Sequence, residues 1–201
     1  RTRASVGGYA YAVQDRRLFV DLYAQGEAKT KVGGNGVTVS QETKYPWSGA
    51  VKLTVKPEKP GRFDLSLRIP GWVRGRPVPG DLYTYDDATP AKWTVTVNGT
   101  PVSANLSNGF LRIDREWKSG DVVDLNLPMP VRRVAASSKV SDNVGLVALE
   151  RGPVVYAFEG IDNDGSVFDL VMPPSTTAKP VYETDLLGGV VALELTGAKR
   201  V

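Results

Sequence analysis

The chain has no cysteine and no histidine in 201 residues. The first absence excludes disulfides, thiolate nucleophiles and cysteine-based zinc or iron–sulfur sites. The second excludes Ser–His and Cys–His relays and imidazole metal ligands. Carboxylates, Lys, Tyr and Ser remain for chemistry, so the chain alone is expected to bind or scaffold rather than catalyse. No apolar run approaches the roughly 18 residues of a membrane-spanning helix, and no membrane partner is expected. Charge of one sign is also scarce: 25 Lys+Arg against 22 Asp+Glu leave +3. The densest basic pairs, Arg16-Arg17 and Arg132-Arg133, read as solvated strand edges and loops. Without a basic stripe carrying aromatics, nucleic acid is not an expected partner.

What is present is period-two alternation. Leu18, Val20 and Leu22 alternate with Phe19, Asp21 and Tyr23; Val51, Leu53 and Val55 with Lys52, Thr54 and Lys56. Phe63, Leu65, Leu67 and Ile69 alternate with Asp64, Ser66 and Arg68; Trp93, Val95 and Val97 with Thr94 and Thr96; Val123, Leu125 and Leu127 with Asp124 and Asn126. Strand side chains point to opposite faces in turn, so each run has a buried and a wet face, as in antiparallel sheets packed on one side. Asn98-Gly99 predicts a hairpin between 93–97 and 100–105, because a two-residue type I′ turn needs positive φ twice. Gly33-Gly34-Asn35-Gly36 predicts another, between 28–32 and 37–41. No long amphipathic helix is evident; short helical turns are expected near 3–6 and 135–140. The fold class is therefore all-β, an antiparallel β-sandwich of jelly-roll-like type.

Two sandwich domains are expected. Pro128 and Pro130 cannot donate to a ladder and suggest a boundary nearby. Residues 16–133 carry enough strands for a first sandwich, and 134–201 form a second, smaller region that is thin for an independent sandwich. Residues 75–90, with Pro77, Pro79, Gly80 and Pro90, read as an insertion between strands.

Glycosidases need two carboxylates about 5–9.5 Å apart. Asp86-Asp87 reads as exposed loop acids. Glu150 and Glu159 close successive strands, and a salt bridge to Arg151 or a neighbouring strand outranks catalysis for them. Asp162-Asn163-Asp164-Gly165 fails the calcium-loop spacing, since Ser166 and Pro173 stand where further acidic ligands belong, and reads as a turn. Asn98-Gly99-Thr100 and Asn105-Leu106-Ser107 match a glycosylation sequon, for which a turn reading suffices. Among the aromatics, Trp93 shares a face with Val95 and Val97 and is expected in the core. Trp47 and Trp72 lie at loop positions, where packing against another domain and stacking on a sugar are the alternatives.

Several phrases in order carry a resemblance. They are Gly7-Gly8-Tyr9, Leu18-Phe19-Val20-Asp21-Leu22-Tyr23, Gln41-Glu42-Thr43, Tyr45-Pro46-Trp47-Ser48-Gly49 and Leu67-Arg68-Ile69-Pro70-Gly71-Trp72. Trp117-Lys118-Ser119-Gly120-Asp121, Leu127-Pro128-Met129-Pro130-Val131-Arg132 and the run from Val147 through Arg151-Gly152-Pro153 to Tyr156 follow. Together they resemble the C-terminal part of glycoside hydrolase family 127, the bacterial β-L-arabinofuranosidase family, over about residues 4–164. The 75–90 insertion departs from the family pattern, which runs from the Pro-Gly-Trp turn directly into the next hairpin.

The resemblance implies a parent protein with an N-terminal (α/α)6 barrel, holding a zinc-bound Cys nucleophile, followed by two β-sandwiches. None of the barrel's ligands can be carried over to a chain without Cys, so no catalytic residue, metal ligand or cofactor is assigned here, and zinc is expected only in the missing catalytic domain. On this reading residues 1–15 are a remnant of the link from that barrel, the chain being a processed product or a cut piece. Its partner would be its own barrel. Tyr9, Tyr11, Tyr45, Trp47 and Trp72 are the expected barrel-facing or sugar-stacking surface. The alternative is a free-standing module binding arabinose-containing glycans through the same rings; a carboxylate-only glycosidase using Glu150 is a third reading. The sequence is compatible with the bacterial cytoplasm and with a periplasmic or secreted location.

Overall fold

The computed structural model describes residues 6–87, 90–103 and 105–200. The first strands are β1 (Tyr11–Gln14), β2 (Arg17–Val20), β3 (Gly26–Val32), β4 (Asn35–Thr43), β5 (Ala50–Pro57) and β6 (Gly61–Arg68). There follow β7 (Tyr83–Tyr85), β8 (Thr94–Val97), β9 (Thr100–Pro101), β10 (Leu106–Ser107), β11 (Phe110–Trp117) and β12 (Asp121–Asn126). The last are β13 (Val131–Ala136), β14 (Val147–Arg151), β15 (Val154–Tyr156), β16 (Leu170–Val171), β17 (Thr177–Glu183), β18 (Val190–Thr196) and β19 (Lys199–Arg200). Helix among the described residues is limited to single 3-10 turns, such as Val6–Tyr9 and Ser141–Asn143. The fold is all-β, as the alternation predicts. The helical turn expected near 3–6 falls mostly outside the described residues; the one expected at 135–140 is instead the end of β13 and a turn.

The chain forms two compact units: Arg1–Arg74 with Pro90–Pro128, and Gly75–Thr89 with Met129–Val201. The first unit holds a five-stranded sheet, β1-β2-β6-β11-β10, and a six-stranded sheet, β3-β4-β5-β12-β8-β9. Every pairing in it is antiparallel except β2 with β6, which is parallel. Alternation supplies the core. Leu18, Val20, Phe63, Leu65, Leu67, Leu111 and Ile113 come from one sheet, and Val37, Val39, Val51, Leu53, Val55, Val95, Val97, Val123 and Leu125 from the other; all are buried. Trp117 is fully buried, stacks on Phe63 at 5.8 Å, and donates its indole N–H to the Phe63 carbonyl at 3.0 Å. Trp93, expected in the core, is only half-buried: β8 begins one residue later, at Thr94, so Trp93 lies outside the ladder that would fix its face.

Both predicted hairpins form. Asn98 and Gly99 take φ of 50° and 77°, Gly33 and Gly34 take 56° and 85°. In the second case Asn35 and Gly36 belong to β4, which shortens the turn to two residues. The outer face of the five-stranded sheet carries an ionic ladder. Asp64 on β6 pairs with Arg112 at 2.7 Å and Arg17 at 3.4 Å, and Arg62 grips Asp114 through two bonds. Of the pair expected at solvated strand edges, Arg16 is exposed in the turn before β2, whereas Arg17 is half-buried on an inner strand and paired with Asp64.

In the second unit the main sheet runs β15-β14-β13-β7, beside the hairpin β17–β18 and the short pair β16–β19. Its described apolar core is small: Tyr85, Leu149 and Val191. The 75–90 insertion is not an idle loop, because β7 lies within it and pairs with β13.

Candidate functional site

Three of the sequence-predicted aromatics, Tyr11, Tyr45 and Trp72, are linked through a small network in the first unit. β4 continues its inward series Val37, Val39 with a polar residue, Gln41, which is 3% exposed. Its side-chain N–H groups donate to the Tyr11 hydroxyl at 2.7 Å and to the Leu22 carbonyl at 3.2 Å. Next along the chain, Tyr23 turns inward and donates its hydroxyl to the Arg68 carbonyl at 2.6 Å. The Tyr23 ring meets Tyr45 edge-on at 5.9 Å. Tyr45 leads into a cis peptide bond to Pro46, and Trp72 interacts with its hydroxyl. Trp72 opens a 3-10 turn that Arg74 closes by donating to the carbonyls of Ile69 and Pro70.

Burial sets the electrostatics here. It pushes the Tyr11 and Tyr45 hydroxyls above their usual range, against the opposing influence of the Gln41 hydrogen bond on Tyr11 and of Trp72 on Tyr45. Tyr23 is pushed up furthest, chiefly by burial, with Tyr45 adding and Arg68 opposing. Asp21 is raised by burial and lowered in part by Arg68. Phenols held neutral and committed to internal bonds do not act as bases near neutral pH. The arrangement packs and orients; it does not assemble an acid–base pair.

Of the five expected surface residues, Tyr45 and Trp72 touch, and Tyr11 joins them through Gln41 and the Leu22–Tyr23 backbone. Trp72 is 9% exposed, which leaves little ring face for a sugar. Trp47 is half-buried in the turn after the cis bond, and Gly49 close by allows the chain to pass the Leu127 carbonyl, where a Cβ would come within 1.7 Å. Tyr9 stands out at 67% exposed. Gln41 and Tyr23 were not among the expected residues. Gln41 was recognisable as a polar residue at a core-facing position of an alternating strand.

Of the candidate carboxylates, Asp86, Asp87 and Asp164 are ion-paired and Glu150 faces Arg132. Arg132, expected to be solvated, is 5% exposed at the centre of a buried cluster in the second unit. Its guanidinium bonds the Asp87 carboxylate at 2.6 and 2.5 Å and the Asp87 carbonyl at 2.6 Å. It also lies 3.6 Å from the Tyr85 ring centre, and β14 places Glu150 directly opposite. Burial pushes the Glu150 carboxyl up; the Tyr85 hydroxyl and the Arg132 charge oppose this. Glu150 thus faces a cation on a neighbouring strand. Asp86 pairs with Arg133 at 3.2 Å, and Asp164 with Arg200 at 3.6 Å after a turn at Gly160–Asp162. Among the described residues no group of three or more acidic side chains could hold a metal ion, and no helix is long and apolar enough to cross a membrane.

Fold and site therefore define an all-β sandwich protein whose polar side chains are engaged in packing. Residues 17–129 match the family profile described as "Beta-L-arabinofuranosidase, GH127 middle domain", and residues 131–194 match "Glycoside hydrolase family 127 C-terminal domain". The chain belongs to glycoside hydrolase family 127. A curated relative, the non-reducing end β-L-arabinofuranosidase of Bifidobacterium longum subsp. longum, is 34% identical over 210 residues, covering 100% of this chain and 29% of its own length. A solved GH127 β-arabinofuranosidase is 39% identical with a TM-score of 0.91, over 95% of this chain and 30% of that one. A GH127 β-L-arabinofuranosidase from Geobacillus stearothermophilus T6 is 41% identical with a TM-score of 0.82, over 94% and 28%. The chain thus spans under a third of these relatives' length and corresponds to the family's middle and C-terminal domains.

Proposed function

We propose that this chain is the non-catalytic β-sandwich portion of a β-L-arabinofuranosidase and supports the catalytic barrel that its family resemblance implies. The observation that carries this reading is the match of both accessory-domain profiles to a chain spanning only 29% of the curated relative. The zinc of the resemblance belongs to that barrel. The edge bearing Tyr9, Tyr11, Tyr45, Trp47 and Trp72 is the surface proposed to meet it. Tyr45 and Trp72 brace the edge from within, while Tyr9 presents its ring. Large aromatic rings at such an edge suit a desolvated interface.

The test is to mix the chain with a separately produced catalytic barrel of a family 127 enzyme. A stable complex, weakened at least tenfold by Tyr9→Asp, is expected, with no hydrolysis of an aryl β-L-arabinofuranoside by the chain alone. Turnover by the isolated chain, or unchanged association of Tyr9→Asp, would defeat the proposal.

A further inference from the structure

The C-terminal domain obtains one edge of its sheet from the segment that interrupts the middle domain. Residues 75–89 leave the first unit after Arg74 and return to it at Pro90. Within them β7 pairs with β13, with Tyr85 opposite Val134, Thr84 opposite Ala135 and Tyr83 opposite Ala136. The ladder extends at both ends: Asp86 N–H donates to the Arg133 carbonyl at 3.1 Å, and Ser137 N–H to the Leu82 carbonyl at 2.8 Å.

Charges match along the same line. Lys139 meets Asp81 at 2.6 Å, Arg133 meets Asp86 at 3.2 Å, and Arg132 meets Asp87 at 2.5 Å. The three bases descend in number as the three acids ascend, the order an antiparallel strand requires. Asn143 adds a bond to the Tyr83 hydroxyl at 3.0 Å. The segment also contributes to the core, since Tyr85 is one of the three buried apolar side chains among the described residues of this unit. It covers Arg132 and hydrogen-bonds Glu150, so without it a buried cation and a buried carboxyl would lose most of their partners.

We infer that the edge of β13 away from β14 is a docking surface for an extended acidic strand, that residues 81–87 are its occupant, and that the C-terminal sheet depends on this donated strand. The boundary between the two family domains, near residue 130, is therefore not a boundary of folding.

The test uses the full chain and peptide-level amide exchange. Thr84 has an exposed side chain and stands in hydrogen-bonding register between the Asp86/Arg133 and Leu82/Ser137 pairs. Thr84→Pro removes a ladder donor without removing a buried contact. Exchange is read at 147–156, two strands that make no ladder bonds to β7, so loss of the edge bonds alone would not move it. At least tenfold faster exchange there is expected, with 63–67 and 111–117 of the first unit unchanged; complete loss of protection over 131–156 alone also supports dependence. Exchange at 147–156 within twofold of the unsubstituted chain overturns it. Asp86→Asn with Asp87→Asn keeps every ladder donor and is expected to accelerate the same region at least threefold; no acceleration removes the acidic requirement.

Discussion

Replacing Arg132 with Met keeps a long unbranched stem and deletes the guanidinium. Three bonds to Asp87 disappear, together with the face contact to Tyr85 and the charge opposite Glu150. Asp87 is largely solvated and loses little by returning to water, its side chain being 57% exposed. Glu150, at 6% exposed, cannot be rehydrated without opening the sheet. Removing one partner of a buried charge pair costs about 3–5 kcal/mol, mostly through the charge left behind. Burial already raises the Glu150 carboxyl, so its ionised form opposes folding near neutral pH: this group favours the fold at low pH and progressively less as pH rises through its folded pKa. Glu150→Gln is therefore expected to cost under about 1 kcal/mol, and to restore most of the loss when added to Arg132→Met. All four Trp lie in the first unit, at 47, 72, 93 and 117, so tryptophan fluorescence does not report this event. Urea-dependent amide exchange over 131–151 does. A loss below about 1 kcal/mol in Arg132→Met, or a Glu150→Gln variant as damaged as Arg132→Met, would refute the idea that the charge stranded at Glu150 causes most of the damage.

Trp117→Ala, by urea unfolding followed through the remaining tryptophans, is expected to cost about 3–5 kcal/mol, because a fully buried indole and its bond to Phe63 are both lost. Asn98→Ala removes two bonds of 2.8 Å, to Asp121 and from Val122 N–H, and leaves Ala at φ of 50°; about 1–3 kcal/mol is expected in the same assay. Gly49→Ala drives a methyl into the Leu127 carbonyl and is expected to lower the urea midpoint by the equivalent of about 1–3 kcal/mol or more. For Asp121, burial pushes the carboxyl up, but the Lys118 backbone N–H, Asn98 and the Arg115 and Lys118 charges together pull it below its usual 3.8. Its contribution is present above that value and lost as pH falls through the folded pKa, so Asp121→Asn is expected to flatten the loss of stability between about pH 5 and 2.

The sequence makes the first unit legible because its strands are half-buried and long. Val51, Leu53 and Val55 can alternate with Lys and Thr only if one face is wet, and the two hairpins named by Asn98-Gly99 and Gly33-Gly34 form there. Three features escape that logic. β10 is two residues long, too short to alternate, although Asn108-Gly109 closes it onto β11 with φ of 50° and 82°. β7 has three residues in a run of Pro, Gly and Asp, and its reason for being a strand lies about 50 residues away in the charges of β13. Arg132 looks like a surface cation because the acids and the ring that bury it are distant in sequence. The aromatic edge was legible by residue type but not by role: which ring braces and which is presented depends on Gln41 and Tyr23, whose bonds are tertiary.

The parallel pairing of β2 with β6 has a consequence for how the chain assembles. Arg17 and Asp64 are 47 residues apart, Arg62 and Asp114 another 52, and β6 is the strand between both partners. A chain emerging vectorially from the ribosome can zip the β1–β2 hairpin and the β3-β4-β5 meander from local turns, whereas β2 must wait for β6, and β6 for β11, before the five-stranded sheet closes. Closing such distant pairs costs entropy before any contact rewards it, and slows folding accordingly. The meander β3-β4-β5 likewise acquires β12 only after β11 has been made, so both sheets of this unit close through pairings distant in sequence.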